Sequence, residues 1–465
     1  MSVIAAFMVP HPPMIVPRIG RGSEEQIAKT VRSYKRVAEE IAYLSPETII
    51  ILSPHSVMYS DYFHISPGKR AKGSFAMFRA PEVRFDEEYD TELADRISLL
   101  AQERDFPAGE KGERDAALDH GTMVPLWFIR GAYGKDRAAS RIVRIGLSGL
   151  SLNDHYSFGM LIRDAVEDVG RKAVIVASGD LSHKLKEYGP YGFAPEGPEY
   201  DRRIMEVCSR AYFGELLDFD EVFLEKAAEC GHRSFVIMAG TMDGKKVRAE
   251  ALSHQDVTGV GYGICTFYPD GEDAGRHFLD RHLEQLKQQL RRKEQLSDPY
   301  VRLARQSLET WIREGRRMKL PKGLPEEMLK MRAGAFVSIH KFGKLRGCIG
   351  TIEPVTDCVA DEIIRNAVSA STQDPRFDPI TKEELEWLEI NVDVLGKAEK
   401  ISSVTQLDVR RYGVIVSAGY RRGLLLPDLD GVDTPAQQVS IALQKAGIRE
   451  EEPYQMERFE VIRHR

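Results

Sequence analysis

The chain has 465 residues, too many for one ordinary core, and its length predicts two or three domains. Its 42% hydrophobic and 29% charged residues are those of a globular protein, and a net charge of −6 leaves no electrostatic footprint for nucleic acid or an anionic membrane surface. No apolar run approaches the roughly 20 residues of a membrane span, no signal-peptide pattern opens the chain, and five scattered cysteines without a CxxC pair argue against a disulfide framework or a cysteine-rich zinc site. The expected address is the cytoplasm.

The first apolar run, Ala5-Ala6-Phe7-Met8-Val9, stops at Pro10-His11-Pro12-Pro13. A helix is predicted over 24–43, where Ile27, Val31, Tyr34, Val37 and Ile41 keep helical spacing. A second strand, Thr48-Ile49-Ile50-Ile51-Leu52, runs into Ser53-Pro54-His55. Residues 58–83 read as hairpins or a long loop, 90–101 as a helix, and 123–129 as the start of a helix capped at Thr122. Further strands are expected at 142–147 and 172–178, with a helix at 156–169 between them. The second of these ends in Ser178-Gly179-Asp180-Leu181-Ser182-His183. Helices at 199–213 and 220–229 follow, then an apolar segment at 234–242 and strands at 247–253 and 260–267. Alternation of this kind predicts an α/β domain with a mainly parallel mixed sheet flanked by helices.

The turn-rich stretch 269–273 breaks the pattern, and a charged helix at 274–296 reads as an amphipathic linker or a homodimer contact. Beyond it a smaller α+β domain is expected. Its elements are a helix at 300–314, a hairpin at 335–351 turning at Phe342-Gly343-Lys344, and a helix at 358–370. Strands at 388–395, 412–417 and 423–426 come next, then a helix with Thr434 as N-cap, Pro435 at its first position and Gly447 past its end, and a last strand at 455–463. The domains are placed at 1–270 and 298–465, with 271–297 as the helical linker.

His11 and His55 each sit in a proline-fixed turn at the end of a predicted parallel strand, where open α/β sheets hold their chemistry. Two neutral imidazoles from neighbouring strand ends suit a divalent transition metal, and a carboxylate would complete a two-His-one-carboxylate face open to substrate and dioxygen. Glu229, beside Cys230, Gly231 and His232, is the best candidate for it. Asp180 either orients the His183 ring or caps its turn.

With His11-Pro-Pro, Ser53-Pro-His55-Ser, Asp119-His120-Gly121 and Ser178-Gly-Asp-Leu-Ser-His183 in place, residues 1–268 resemble the class III extradiol ring-cleavage dioxygenases of the LigB superfamily, in their Memo-like branch. The resemblance implies that His11 and His55 bind a metal with Glu229 as third ligand. It also implies His183 as acid–base residue and His120 as a second catalytic group facing substrate. The implied activity is ring cleavage of a catechol or phenol-like group, on a small aromatic or an aromatic carried by a peptide, with non-haem Fe(II) and dioxygen. Memo-branch proteins resemble this stretch with a cysteine in the liganding place. If Cys230 coordinates, its softness favours zinc, copper or other iron chemistry; His232 is a further candidate.

Leu345-Arg346-Gly347-Cys348-Ile349-Gly350, Asp374-Pro-Arg-Phe377, Tyr412-Gly-Val414 and Gly423-Leu-Leu-Leu-Pro427 are similar to the AMMECR family over 298–465. Arg346 offers an anion-binding fork and Cys348 either a nucleophile or a core side chain, so the two define a second candidate site. The fusion resembles AmmeMemoRadiSam systems. That resemblance implies a radical-SAM protein partner and, as the alternative function, a metal-binding adaptor or a component of peptide or protein modification.

Overall fold

The computed structural model describes residues 2–133, 139–429 and 431–465. The chain divides into two compact units, residues 1–283 and 284–465. Among the described residues, no helix is long and apolar enough to cross a membrane, and the five cysteines are free.

The first unit is built on a six-stranded sheet. Its strands are β1 (Val3–Val9), β2 (Thr48–Ser53), β3 (Arg141–Gly146), β4 (Ala173–Ser178), β5 (Lys245–Gln255) and β6 (Tyr262–Glu272). The order is β3-β2-β4-β1-β6-β5; the first four are parallel and the last two antiparallel. β2 and β4 are buried along their whole length, which explains their unbroken β-branched runs. Alternate residues serve two cores. Phe7, Ile49, Ile51 and Val174 pack towards α1 (Ala28–Leu44) and α3 (His120–Ala132). Met8, Ile50, Leu52 and Ile175 pack towards α2 (Thr91–Glu103), α4 (Leu152–Val169), α5 (Glu196–Arg210) and α7 (His232–Gly240). The α/β architecture expected from the sequence is the one observed.

Local differences have local causes. His11 and His55 come from strands that are not neighbours, because β4 lies between β1 and β2. The helix expected from Thr122 begins at His120, because the Asp119 carboxylate accepts the Thr122 N–H and takes the cap. Residues 58–83 supply part of a hairpin, Arg70–Phe75 against Ala80–Glu88. The helix α6 (Glu221–Ala227) ends earlier than expected, because Ala228 turns left-handed at φ 52° and Glu229 falls in the connection to α7.

The helix α8 (Phe278–Leu296) carries the chain into the second unit. There a mostly antiparallel sheet contains β7 (Ala335–Lys341), β8 (Lys344–Gly350), β9 (Leu388–Leu395), β10 (Tyr412–Ala418), β11 (Arg421–Leu425) and β12 (Gln455–His464). Their order is β8-β7-β9-β12-β10-β11, and the short strand Glu399–Ile401 also pairs with β12. Phe342 and Gly343 both have positive φ, the backbone that a two-residue hairpin needs. Helices α9 (Pro299–Glu314) and α10 (Val359–Thr372) pack on Val337, Ile339, Val392 and Val394. The helix α11 (Pro435–Ala446) packs on Val414, Val416 and Leu425.

Candidate metal centre

Two strand ends and one helix start deliver the site. Pro10 and Pro54 follow β1 and β2 and offer no N–H to extend a ladder. His11 and His55 come next, and their Nε2 atoms stand 3.0 Å apart. One transition-metal ion reaches each imidazole nitrogen at about 2.0–2.1 Å, so this spacing fits a shared ion. His120, the first residue of α3, completes the group: the ligand atoms of His11, His55 and His120 all lie within 4.8 Å of one another. The His55 and His120 rings stack with centroids 4.1 Å apart, and His11 meets them edge-on at 4.7 and 5.4 Å. His11 is buried, His120 half-buried and His55 exposed, so the group opens to solvent on one side.

The tautomer of His11 follows from its neighbours. Pro125 lies inside α3 and lacks the N–H that would bond to the carbonyl four residues earlier, that of Gly121. The Gly121 carbonyl instead accepts the Ser178 hydroxyl at 2.6 Å. With its one proton committed there, Ser178 Oγ accepts from His11 Nδ1–H at 3.0 Å. His11 Nε2 keeps its lone pair, directed at His55. That is the form a metal ligand needs.

The same turn braces the other two rings. Ser53 Oγ donates to Asp119 Oδ1 at 2.6 Å and accepts the His55 N–H. Behind it, the buried Arg144 guanidinium binds the carbonyls of Asp115 and Ala117 and stands 3.7 Å from Asp119. A Cβ on Gly121 would lie 2.5 Å from Ser53 Oγ, so only glycine fits. Residues 119–121 thus organise all three histidines. Replacing Ser178 with alanine is expected to weaken metal binding about 10–100-fold, the usual cost of losing a group that orients a ligand. Calorimetric titration of metal into the purified variant checks this; unchanged affinity would remove Ser178 from that role.

Electrostatics keep the cluster uncharged. Burial, then the neighbouring His55, His120 and His183, hold the His11 pKa well below the usual imidazole range. Burial, followed by His55, brings His120 to about 4, and the same two causes bring His183 to about 4. His183 therefore stands close to the group without belonging to it, its ring stacked on Tyr191 with centroids 5.1 Å apart. Asp180 turns away from the His183 role considered for it, and its Oδ1 accepts the His11 backbone N–H at 2.8 Å.

The three further candidates at 229–232 are placed differently from one another. The Glu229 carboxylate accepts the N–H of His232, the first residue of α7, at 2.5 Å and is outside the three-histidine group. Cys230 Sγ lies 3.6 Å from His11 Nε2 and accepts the Asp180 N–H at 3.3 Å. Burial pushes its thiol pKa up. His232 is buried, with Nε2 2.9 Å from the Leu216 carbonyl. The ligand atoms of His120, and not those of Glu229, thus group with those of His11 and His55, and Cys230 Sγ lies beside His11.

In the second unit Arg346 and Cys348 are held within the fold. Both forks of Arg346 pair with Glu384 at 3.0 Å, and Nη1 donates to the Asp378 carbonyl at 2.8 Å. The Cys348 N–H donates to Asp374, which Arg376 also grips, and burial raises the thiol pKa. LRGCIG and DPRF thus form one hydrogen-bonded network.

A helix-flanked, mainly parallel sheet with three histidines converging at its strand ends defines an α/β protein with a candidate metal centre. The chain belongs to the family described as "Catalytic LigB subunit of aromatic ring-opening dioxygenase", which matches residues 5–265, and its second part matches the AMMECR1 family over 301–464. A protein of Clostridium acetobutylicum is 41% identical over the full length of both chains. A Thermotoga maritima protein is 47% identical over 36% of this chain and 97% of its own. A crystal structure from Pyrococcus horikoshii covers 37% of this chain and 91% of that one, at 28% identity and a TM-score of 0.34.

Proposed function

We propose that the first unit is a metal-dependent oxidoreductase of the extradiol type, holding Fe(II) on His11, His55 and His120 and acting on a catechol or phenol-like group. The observation that carries this reading is the 3.0 Å approach of His11 Nε2 to His55 Nε2, with the ligand atom of His120 within 4.8 Å and His11 Nδ1 held by Ser178 Oγ from behind. The family match supports the reaction class. A bound ion supplies Lewis acidity that favours ionisation of a phenolic hydroxyl and stabilises the resulting anion. The chain's own residues do the rest. His183, beside the histidine group with its ring stacked on Tyr191, serves as acceptor for the phenolic proton. Phe78 packs edge-on against His120 with centroids 5.5 Å apart and supplies an apolar wall for an aromatic ring. Asp180 and Ser178 keep His11 from turning as charge changes nearby.

Protein purified without air, its metal measured by mass spectrometry and its oxygen uptake followed on a catechol panel, tests the proposal. Iron with catechol-dependent uptake is expected. His183→Ala is expected to keep the metal and lose uptake by about 10²–10⁴-fold, the contribution of a positioned proton acceptor. No uptake from fully iron-loaded protein would overturn the reading.

A further inference from the structure

The second unit carries a cavity that the metal chemistry does not use. The helices α9, α10 and α11 pack on one face of the curled sheet, against the residues named above. The opposite face holds an apolar cluster of Leu395, Ile415 and Phe459, with Phe336, Leu424 and Val461 beside it. None of these six belongs to a helix. The sheet curls until its two ends meet. Arg422, on the edge strand β11, pairs with Glu353, just past β8 at the other edge, at 2.6 Å, and with Glu457 on β12 at 3.3 Å. Under this ion pair lies a half-open cavity of about 400 Å³, within the size range of small-molecule sites.

Its chemistry is asymmetric. Ile415 and Phe459 form a dry floor, 1% and 2% exposed. Three cations, Arg332, Lys397 and Arg422, stand against two carboxylates, Glu353 and Glu457, and both carboxylates are engaged by Arg422. Among the described residues no carboxylate pairs with Lys397 or Arg332, and Arg332 donates only to the Thr356 carbonyl. An apolar floor beneath a rim with one net positive charge, on which no carboxylate pairs with Arg332 or Lys397, selects for an apolar body bearing a negative group.

We propose that this cavity binds a small organic anion, its apolar body on Phe459 and Ile415 and its carboxylate or sulfonate between Arg332 and Lys397. Calorimetric titration of the full chain with 3-phenylpropionate tests it. One site per chain is expected. Inorganic phosphate, which has charge without an apolar body, and 3-phenylpropanamide, which has the body without charge, are each expected to bind about tenfold more weakly or worse. The double variant Arg332→Glu, Lys397→Glu alters two exposed side chains and is expected to lose at least about tenfold in affinity with its melting temperature unchanged. His55→Ala, in the other unit, is expected to bind as the parent does. No binding at millimolar 3-phenylpropionate, equal binding of the amide, or indifference to the charge reversal would each overturn the proposal. Loss of binding in His55→Ala would do so too, by placing the ligand at the metal centre.

Discussion

His11→Ala is expected to abolish metal binding in practice, with affinity falling by well over 100-fold, more than the loss of an orienting group costs. His11 is the buried member of the trio and the one whose tautomer is fixed from behind. Alanine there leaves Ser178 without its partner and His55 without the nitrogen it faces. Glu229→Gln is the informative contrast. The carboxylate is engaged at the start of α7, so metal affinity is expected to stay within a few-fold while thermal stability falls by about 1 kcal/mol. Were Glu229 the third ligand, Glu229→Gln would lose the metal and His120→Ala would keep it. Titrations of the three variants decide between these sets.

The pH dependence has a definite sign. In the metal-free chain His120 and His183 are held at about 4 by burial and by His55, against about 6.5 in an unfolded chain. Between those values the unfolded state binds more protons, so stability is full above about pH 6.5 and declines as pH falls towards 4. Protons therefore begin to displace the metal only in the acid range. Affinity measured from pH 8 to pH 6 is expected to be nearly flat, with a steep fall below about pH 5.

Much of the site is legible from short stretches. Proline-flanked histidines after unbroken apolar runs announce strand ends, and strand ends are where an open sheet keeps its chemistry. The position of His120 is harder to read, because its ring reaches the others only once Asp119, and not Thr122, caps α3. One signal was present and is easily passed over: Pro125 stands four residues after Gly121, and that spacing frees the carbonyl which fixes Ser178. Glu229 shows the opposite limit. A carboxylate beside Cys230 and His232 reads as a ligand, whereas the left-handed turn at Ala228 and the His232 N–H that this carboxylate accepts are not legible from the sequence. In the second unit the hairpin is plain from its turn, whereas the Arg422–Glu353 pair joins residues 69 apart and depends on the curl of the whole sheet.

Gly179→Ala is expected to damage the first unit more than any other single methyl on this loop. The backbone of Gly179 meets that of Gly231: a Cβ on residue 179 would lie 2.1 Å from Gly231 Cα and 3.1 Å from its nitrogen. Neither neighbour is a flexible side-chain end, so two chain segments must part. Those segments are held together by the Asp180 N–H on Cys230 Sγ and the Cys230 N–H on the Asp180 carbonyl. Separating them also moves Asp180, which anchors the His11 N–H at 2.8 Å. Overpacking of this kind costs about 1–3 kcal/mol or more, equivalent in a unit of this size to a fall of roughly 2–5 °C in melting temperature. Metal affinity is expected to drop with it. Gly192→Ala is the control: that glycine has φ +74° with nothing within 4 Å of its Cβ, so only backbone preference is at stake, about 1 kcal/mol. Equal melting temperatures for the two variants would show that the loop yields without cost. A larger loss of both stability and metal affinity in Gly179→Ala would tie the Ser178-Gly179-Asp180 turn to the seating of His11, one close backbone contact away from Cys230.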